Sequence, residues 1–108
     1  MIMDILDLAG QYAEAWKKLD VSILAPYLSD DFTYGSMWVF ESLDKKGYID
    51  YLEGKFKTIA ATSSRLRVDV AKSENGDVCV HLDQGGNIAF IHIKVSDDKI
   101  TEAYMMSF

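Results

Sequence analysis

Residues 78–95 read VCVHLDQGGNIAFIHIKV, and this stretch decides the fold. Val78, Val80 and Leu82 alternate with Cys79, His81 and Asp83; Ile91, Ile93 and Val95 alternate with Phe90, His92 and Lys94. A period of two is that of strands with one apolar and one polar face. Between the runs, Gly85-Gly86 supplies the left-handed conformations of a two-residue hairpin turn. That turn pairs Val80 with Ile91 and Cys79 with His92, which keeps the apolar residues on one side.

The pattern extends in both directions. Leu66, Val68 and Val70 alternate with Arg65, Arg67 and Asp69, and a loop at Glu74-Asn75-Gly76 pairs Val70 with Val80. A two-residue turn at Asp97-Asp98 leads into a last strand over about Lys99 to Phe108. It pairs Val95 with Ile100, Ile93 with Glu102 and Ile91 with Tyr104. One face of the meander then carries Val68, Val70, Val80, Ile91, Ile93, Tyr104 and Met106. The other carries Phe90, Ala103 and Met105 among Arg67, His81, His92 and Lys94. A slip of one residue would exchange the faces.

Before about residue 62 the period is helical. Ile5, Leu8, Ala9, Tyr12, Trp16 and Leu19 form one stripe. Asp20 caps a short second helix over about Ser22 to Leu28, and Pro26 keeps it short or kinked. Phe32 to Phe40 reads as one extended, bent strand. A long helix follows from about Asp44 to Ile59, with Tyr48, Ile49, Leu52, Phe56 and Ile59 as its buried stripe. The expected fold class is α+β: residues 1–108 form a single domain, with three N-terminal helices packed on one face of a strongly curved, mostly antiparallel sheet.

Composition narrows the functions. A net charge of −6 and scattered basic residues oppose binding to a phosphate backbone. No apolar run reaches the roughly 20 residues that cross a bilayer. The N-terminus, with Asp4 and Asp7 among its apolar residues, does not read as a signal peptide. The one cysteine, Cys79, permits no intrachain disulfide. The expectation is a cytoplasmic protein without cofactor, nucleic-acid partner or membrane partner.

Helix, short helix, bent strand, helix and antiparallel meander resembles the nuclear transport factor 2-like superfamily, a cystatin-like cone. That group includes ketosteroid isomerases and SnoaL-like polyketide cyclases. Tyr12-Ala-Glu-Ala-Trp-Lys-Lys-Leu-Asp20, Leu24-Ala-Pro-Tyr-Leu-Ser-Asp-Asp-Phe-Thr-Tyr-Gly-Ser36 and the closing Lys99-Ile-Thr-Glu-Ala-Tyr104 carry the resemblance. Tyr34-Gly-Ser-Met-Trp-Val-Phe40 is also similar to a small bacterial subgroup, which implies no particular activity. The resemblance puts Tyr12 where the isomerases hold an oxyanion-hole tyrosine. Ser36 stands where they hold the aspartate base, and Ile91 near their second oxyanion donor. With two of those three groups replaced, the isomerase reaction is not expected, because a serine alone cannot abstract a carbon-bound proton.

Tyr34, Ser36 and Trp38 alternate along the bent strand. With Tyr12, Trp16, Ile91, Glu102, Tyr104 and Met106 they are candidates to line an aromatic pocket in the cone, for a small apolar ligand. The competing reading is that the large rings fill the core. Glu102 is the one carboxylate on the inferred apolar face. Cys79, His81, Asp83 and His92 share the opposite face, a half-polar surface without a recognised metal-ligand spacing; no metal is expected. Arg67, His81, Phe90, His92 and Met105 are candidates for a homodimer interface through that face. Three functions remain: a small-molecule-binding domain without a complete catalytic set, a lyase, isomerase or cyclase using Tyr12, Tyr34 or Glu102, and a protein-interaction module.

Overall fold

Asp4 opens the first helix with a reciprocal cap: its side chain accepts from the Asp7 amide at 2.9 Å, and the Asp7 side chain accepts from the Asp4 amide at 3.3 Å. The computed structural model describes residues 4–37, 39–62, 65–72 and 77–107. Helix α1 spans Ile5–Lys18 and ends at Leu19, whose φ of 54° is left-handed. Two 3₁₀ turns follow, Val21–Ile23 and Ala25–Tyr27, the first capped by Asp20. Pro26 explains why the expected second helix is only these two turns. Next come β1 (Leu28–Ser36), β2 (Val39–Asp44) and α2 (Lys45–Thr62). The chain closes with β3 (Leu66–Lys72), β4 (Val78–Gln84), β5 (Asn87–Ser96) and β6 (Lys99–Ser107).

The architecture is α+β, and the described residues form a sheet of six strands in the order β2-β1-β6-β5-β4-β3. β1 and β6 are parallel and every other neighbouring pair is antiparallel. Instead of three N-terminal helices, the described residues form two α-helices and two 3₁₀ turns, and α2 lies between strands. The extended segment expected over Phe32 to Phe40 is two strands turning near Met37, whose amide donates to the Met105 carbonyl at 3.2 Å. Trp38 and the loop at Glu74-Asn75-Gly76 lie outside the described residues.

Buried side chains fall on one face of the central strands. Val80 and Leu82 of β4, Ile91 and Ile93 of β5, and Ala103 and Met105 of β6 meet Leu8, Tyr12 and Trp16 of α1 and Tyr48, Leu52 and Phe56 of α2 in one core. Helix α1 contacts β3 and β4, and α2 contacts β1 and β2. Val70, expected inward, is 37% exposed near the end of the edge strand β3.

The meander keeps its expected register through Val95↔Ile100 and then departs from it. A bulge follows, and Lys94 pairs with Glu102, Ile93 with Ala103 and Ile91 with Met105. Thr101 is the extra residue; its hydroxyl donates to the Lys94 carbonyl at 3.3 Å. The shift exchanges the faces of the last strand. Ala103 and Met105 turn into the core, while Glu102, Tyr104 and Met106 turn out. Without the bulge, Glu102 would stand beside buried Ile93, where an unpaired carboxylate is costly. With it, Glu102 sits 3.6 Å from the Lys94 ammonium.

Candidate functional site

The site grows from three apolar stripes. On β1, the alternation of Phe32, Tyr34 and Ser36 sends all three inward, each under 9% exposed. On α2, the spacing of Tyr48, Leu52, Phe56 and Ile59 makes the buried face, and Tyr51 lies on its flank, three residues after Tyr48. On α1, Tyr12 and Trp16 stand one turn apart. These stripes converge on a cluster of four of the six tyrosines in the chain: Tyr12, Tyr34, Tyr48 and Tyr51.

The hydroxyls of Tyr12 and Tyr48 are hydrogen-bonded to one another. The Tyr34 and Tyr48 rings stack with centroids 4.3 Å apart and planes at 20°. Tyr51 stacks more loosely, 5.9 Å from Tyr34 and 6.3 Å from Tyr48. The Tyr34 hydroxyl lies 3.7 Å from the Met105 sulfur and has Ser36 and Tyr51 as further hydrogen-bond partners. Trp16 packs edge-on against Phe56, centroids 5.0 Å apart. Its indole N–H is buried without a partner among the described residues.

Burial sets the electrostatics. Removal from water pushes the Tyr12 and Tyr48 hydroxyls well above the ordinary tyrosine range, and it raises Tyr34 in the same direction, as does the neighbouring Tyr51. All three stay protonated at neutral pH. They can donate hydrogen bonds but cannot serve as bases. Ser36 is the one buried polar residue besides these hydroxyls and the indole, and no buried carboxylate or imidazole accompanies it among the described residues.

Of the residues singled out from sequence, Tyr12, Tyr34 and Ser36 come together here. Trp16 and Ile91 are buried in the same core. Glu102, Tyr104 and Met106 do not join them, because the Thr101 bulge puts them on the opposite face. Met105, assigned from sequence to the outer face, is instead the sulfur contact of Tyr34. Tyr48 was legible as a buried position but not as a partner of Tyr12, and Tyr51 was missed. Its i+3 offset from Tyr48 is the one signal that could have found it. Surface clefts of about 270 and 390 Å³ open elsewhere; the first is lined by Ile5, Val78, His92 and Tyr104, the second by Leu19, Val21, Phe56 and Ala60.

No protein-family model matches the chain, and no curated protein matches it by sequence. Solved structures do match its fold over nearly its full length. An NTF2-like (nuclear transport factor 2-like) protein of unknown function from Cytophaga hutchinsonii superposes with a TM-score of 0.71 at 15% identity, covering 100% of this chain and 93% of that one. A SnoaL-like protein of unknown function from Burkholderia thailandensis gives 0.74 at 14% identity, covering 95% and 92%. The fold is the NTF2-like fold. A cystatin-fold protein from Novosphingobium aromaticivorans agrees, with a TM-score of 0.71 at 16% identity over 95% and 97% of the chains.

In this NTF2-like fold the sheet face away from the helices is a separate surface. It carries Arg67, His81, Phe90 and His92, as the alternation predicts. His81 stacks on Phe90 across β4 and β5, centroids 4.9 Å apart. Tyr104 lies across Gly35, where an added Cβ would meet its ring at 3.2 Å. Tyr104 and Met106 are 42% and 37% exposed. Cys79 faces His92 across the same strands. Among the described residues no group of three or more His, Cys, Asp or Glu side chains could hold a metal ion, and no helix is long and apolar enough to cross a membrane.

Proposed function

We propose that this domain binds a small, largely apolar molecule at the tyrosine cluster, on the helix-covered side of the sheet. The observation that carries the reading is the convergence of three buried tyrosine hydroxyls, Tyr12, Tyr34 and Tyr48, and Ser36 in an otherwise apolar core, with Tyr51 at its exposed edge. Buried hydroxyls add nothing to packing that phenylalanine lacks, and each costs about 1–3 kcal/mol when left unpaired. An apolar site with a few convergent donors is the usual make-up of a small-molecule pocket. The protonated tyrosines suit a ligand with an acceptor oxygen. The lyase, isomerase or cyclase alternative is less well supported, since Glu102 lies outside the core and, among the described residues, Ser36 has no buried base beside it. Free Cys79 is in keeping with a reducing, cytoplasmic compartment.

The test is binding of the aromatic alcohol 2-naphthol to the native chain and to Tyr12→Phe and Tyr48→Phe. Each variant keeps the ring and loses a hydroxyl. Affinity is expected to fall by about tenfold, the worth of one hydrogen bond near 1.4 kcal/mol. Unchanged affinity in both variants would contradict the reading.

A second copy of the chain is the partner we propose for the outer sheet face. Its support is the exposed apolar surface of Tyr104 and Met106 beside the stacked His81 and Phe90, ringed by Arg67, His92 and Lys94. Closed twofold pairing covers each patch with its own copy. Sedimentation at micromolar concentration is expected to show a dimer, and Phe90→Glu a monomer. A dimer untouched by Phe90→Glu would place the contact elsewhere.

A further inference from the structure

We propose that Cys79 and His92 form half of a zinc site, and that a second copy of the chain supplies the other half. The result is one tetrahedral centre of two cysteines and two histidines on the twofold axis of the sheet-face dimer. The inference rests on the dimer reading above and adds to it the ion that ties the two copies together.

The register brings the pair together. Gly85 and Gly86, with φ of 59° and 95°, make a two-residue turn, so Gln84↔Asn87 closes the hairpin and carries the turn's hydrogen bond. Hydrogen-bonded and non-hydrogen-bonded pairs alternate from there. Cys79↔His92, five pairs on without a bulge, is therefore non-hydrogen-bonded. In that class the side chains stand closer, with Cβ atoms about 4.5–5.5 Å apart. His81↔Phe90 belongs to the same class, and its rings do meet, centroids 4.9 Å apart. Zinc holds a thiolate at about 2.3 Å and an imidazole nitrogen at about 2.0–2.1 Å, so one ion can take both side chains.

The surroundings leave the pair open. Along the same row, Ala71 lies beyond Cys79 and Tyr104 beyond His92. Ala71 is too small to cover the thiol; Cys79 is free and half-buried, and His92 is exposed. A cleft of about 270 Å³, lined in part by His92 and Asp77, gives an ion a path to the imidazole. Lys94, two residues along β5, is ion-paired with Glu102.

Within one chain only these two ligands meet, and among the described residues no third His, Cys, Asp or Glu joins them. A structural zinc takes four. The pair lies on β4 and β5, away from both edges of the sheet. Isologous pairing of this face doubles two ligands into four. Burial raises the Cys79 thiol above its usual range, so without metal it is protonated at neutral pH. On binding, each thiol gives its proton to solvent. Two protons leave per ion, and the two thiolates neutralise the dication.

The experiment uses the reduced, untagged native chain, Cys79→Ser and His92→Gln, each stripped of metal. Cobalt(II), a visible stand-in for zinc, is titrated by absorption, and sedimentation is run with zinc and with EDTA. The native chain is expected to saturate at one cobalt per two chains, with tetrahedral d–d bands and a thiolate-to-cobalt charge-transfer band that zinc abolishes. Its dimer is expected to be at least about tenfold tighter with zinc than in EDTA. Cys79→Ser should lose the charge-transfer band. His92→Gln should bind cobalt more than about a hundredfold more weakly, beyond the cost of losing a group that only hydrogen-bonds to a ligand. One cobalt per chain would overturn the shared centre, as would a missing charge-transfer band or an affinity unchanged in either variant. A dimer in EDTA that takes up no cobalt would overturn the metal site and leave the dimer reading standing. A monomer under every condition would remove both.

Discussion

Stability should hold steady up to about pH 10 and then fall steeply. Tyr12 and Tyr48 are fully buried and keep their protons far above the ordinary value of 10.0, because burial penalises the phenolate. In the unfolded chain the same groups ionise near that value. Above it the unfolded state therefore binds fewer protons than the folded state, and stability decreases as pH rises. The folded pKa is the raised one, so the contribution is complete below about pH 10 and is lost progressively above it. Each retained proton is worth about 1.4 kcal/mol per pH unit. The two tyrosines together remove about 3 kcal/mol for every unit, and Tyr34 acts in the same direction. Against a total of about 5–15 kcal/mol, the fold should be lost within a few units. Urea unfolding followed by circular dichroism should give the same midpoint at about pH 8 and 9, and a much lower one at about pH 11. Tyr48→Phe should make the decline shallower by one proton. A midpoint independent of pH up to about 11 would show that the hydroxyls are not buried in the native chain.

Trp16→Ala is expected to cost about 3–5 kcal/mol, the range for deleting a large buried aromatic. Trp16 is 1% exposed, belongs to the α1 stripe and meets Phe56 of α2 edge-on. It therefore ties the two helices together through packing alone. Its indole N–H has no partner among the described residues, so no hydrogen bond offsets or adds to the loss. Such a loss takes a large part of the stability of an ordinary domain, about 5–15 kcal/mol. Denaturant midpoints of the two proteins would measure it, and an unchanged midpoint would contradict the packing described for α1 and α2.

What could be read from the residues, and what could not, follows from which interactions are local. The α1 and α2 stripes were legible because helical burial repeats every three to four residues. The β4/β5 pairing was legible because a two-residue glycine turn leaves one register, and Cys79↔His92 and Val80↔Ile91 pair as read. The last strand was not. Asp97 and Asp98 form the two-residue turn that was expected, both left-handed with φ of 51° and 63°, but the bulge at Thr101 has no local signature. It answers a tertiary demand, to keep Glu102 out of the core and to admit Ala103. That one residue moved Glu102, Tyr104 and Met106 away from the site and brought Met105 into it. Tyr48 and Tyr51 were illegible as site residues for a related reason. Periodicity reports which side of a helix is buried, not which hydroxyl on another element it will meet. Pro26 spoke plainly for a short second helix, but not for its division into two 3₁₀ turns.

The central claim is that a ligand enters the tyrosine cluster, and fluorine NMR of the chain labelled with 3-fluorotyrosine tests it most directly. The six tyrosines give six signals. Saturating 2-naphthol should shift those of Tyr12, Tyr34, Tyr48 and Tyr51 together, at one common concentration midpoint, and leave Tyr27 and Tyr104 in place. Shifts confined to Tyr27 or Tyr104, or no saturable shift in the four clustered tyrosines, would contradict it.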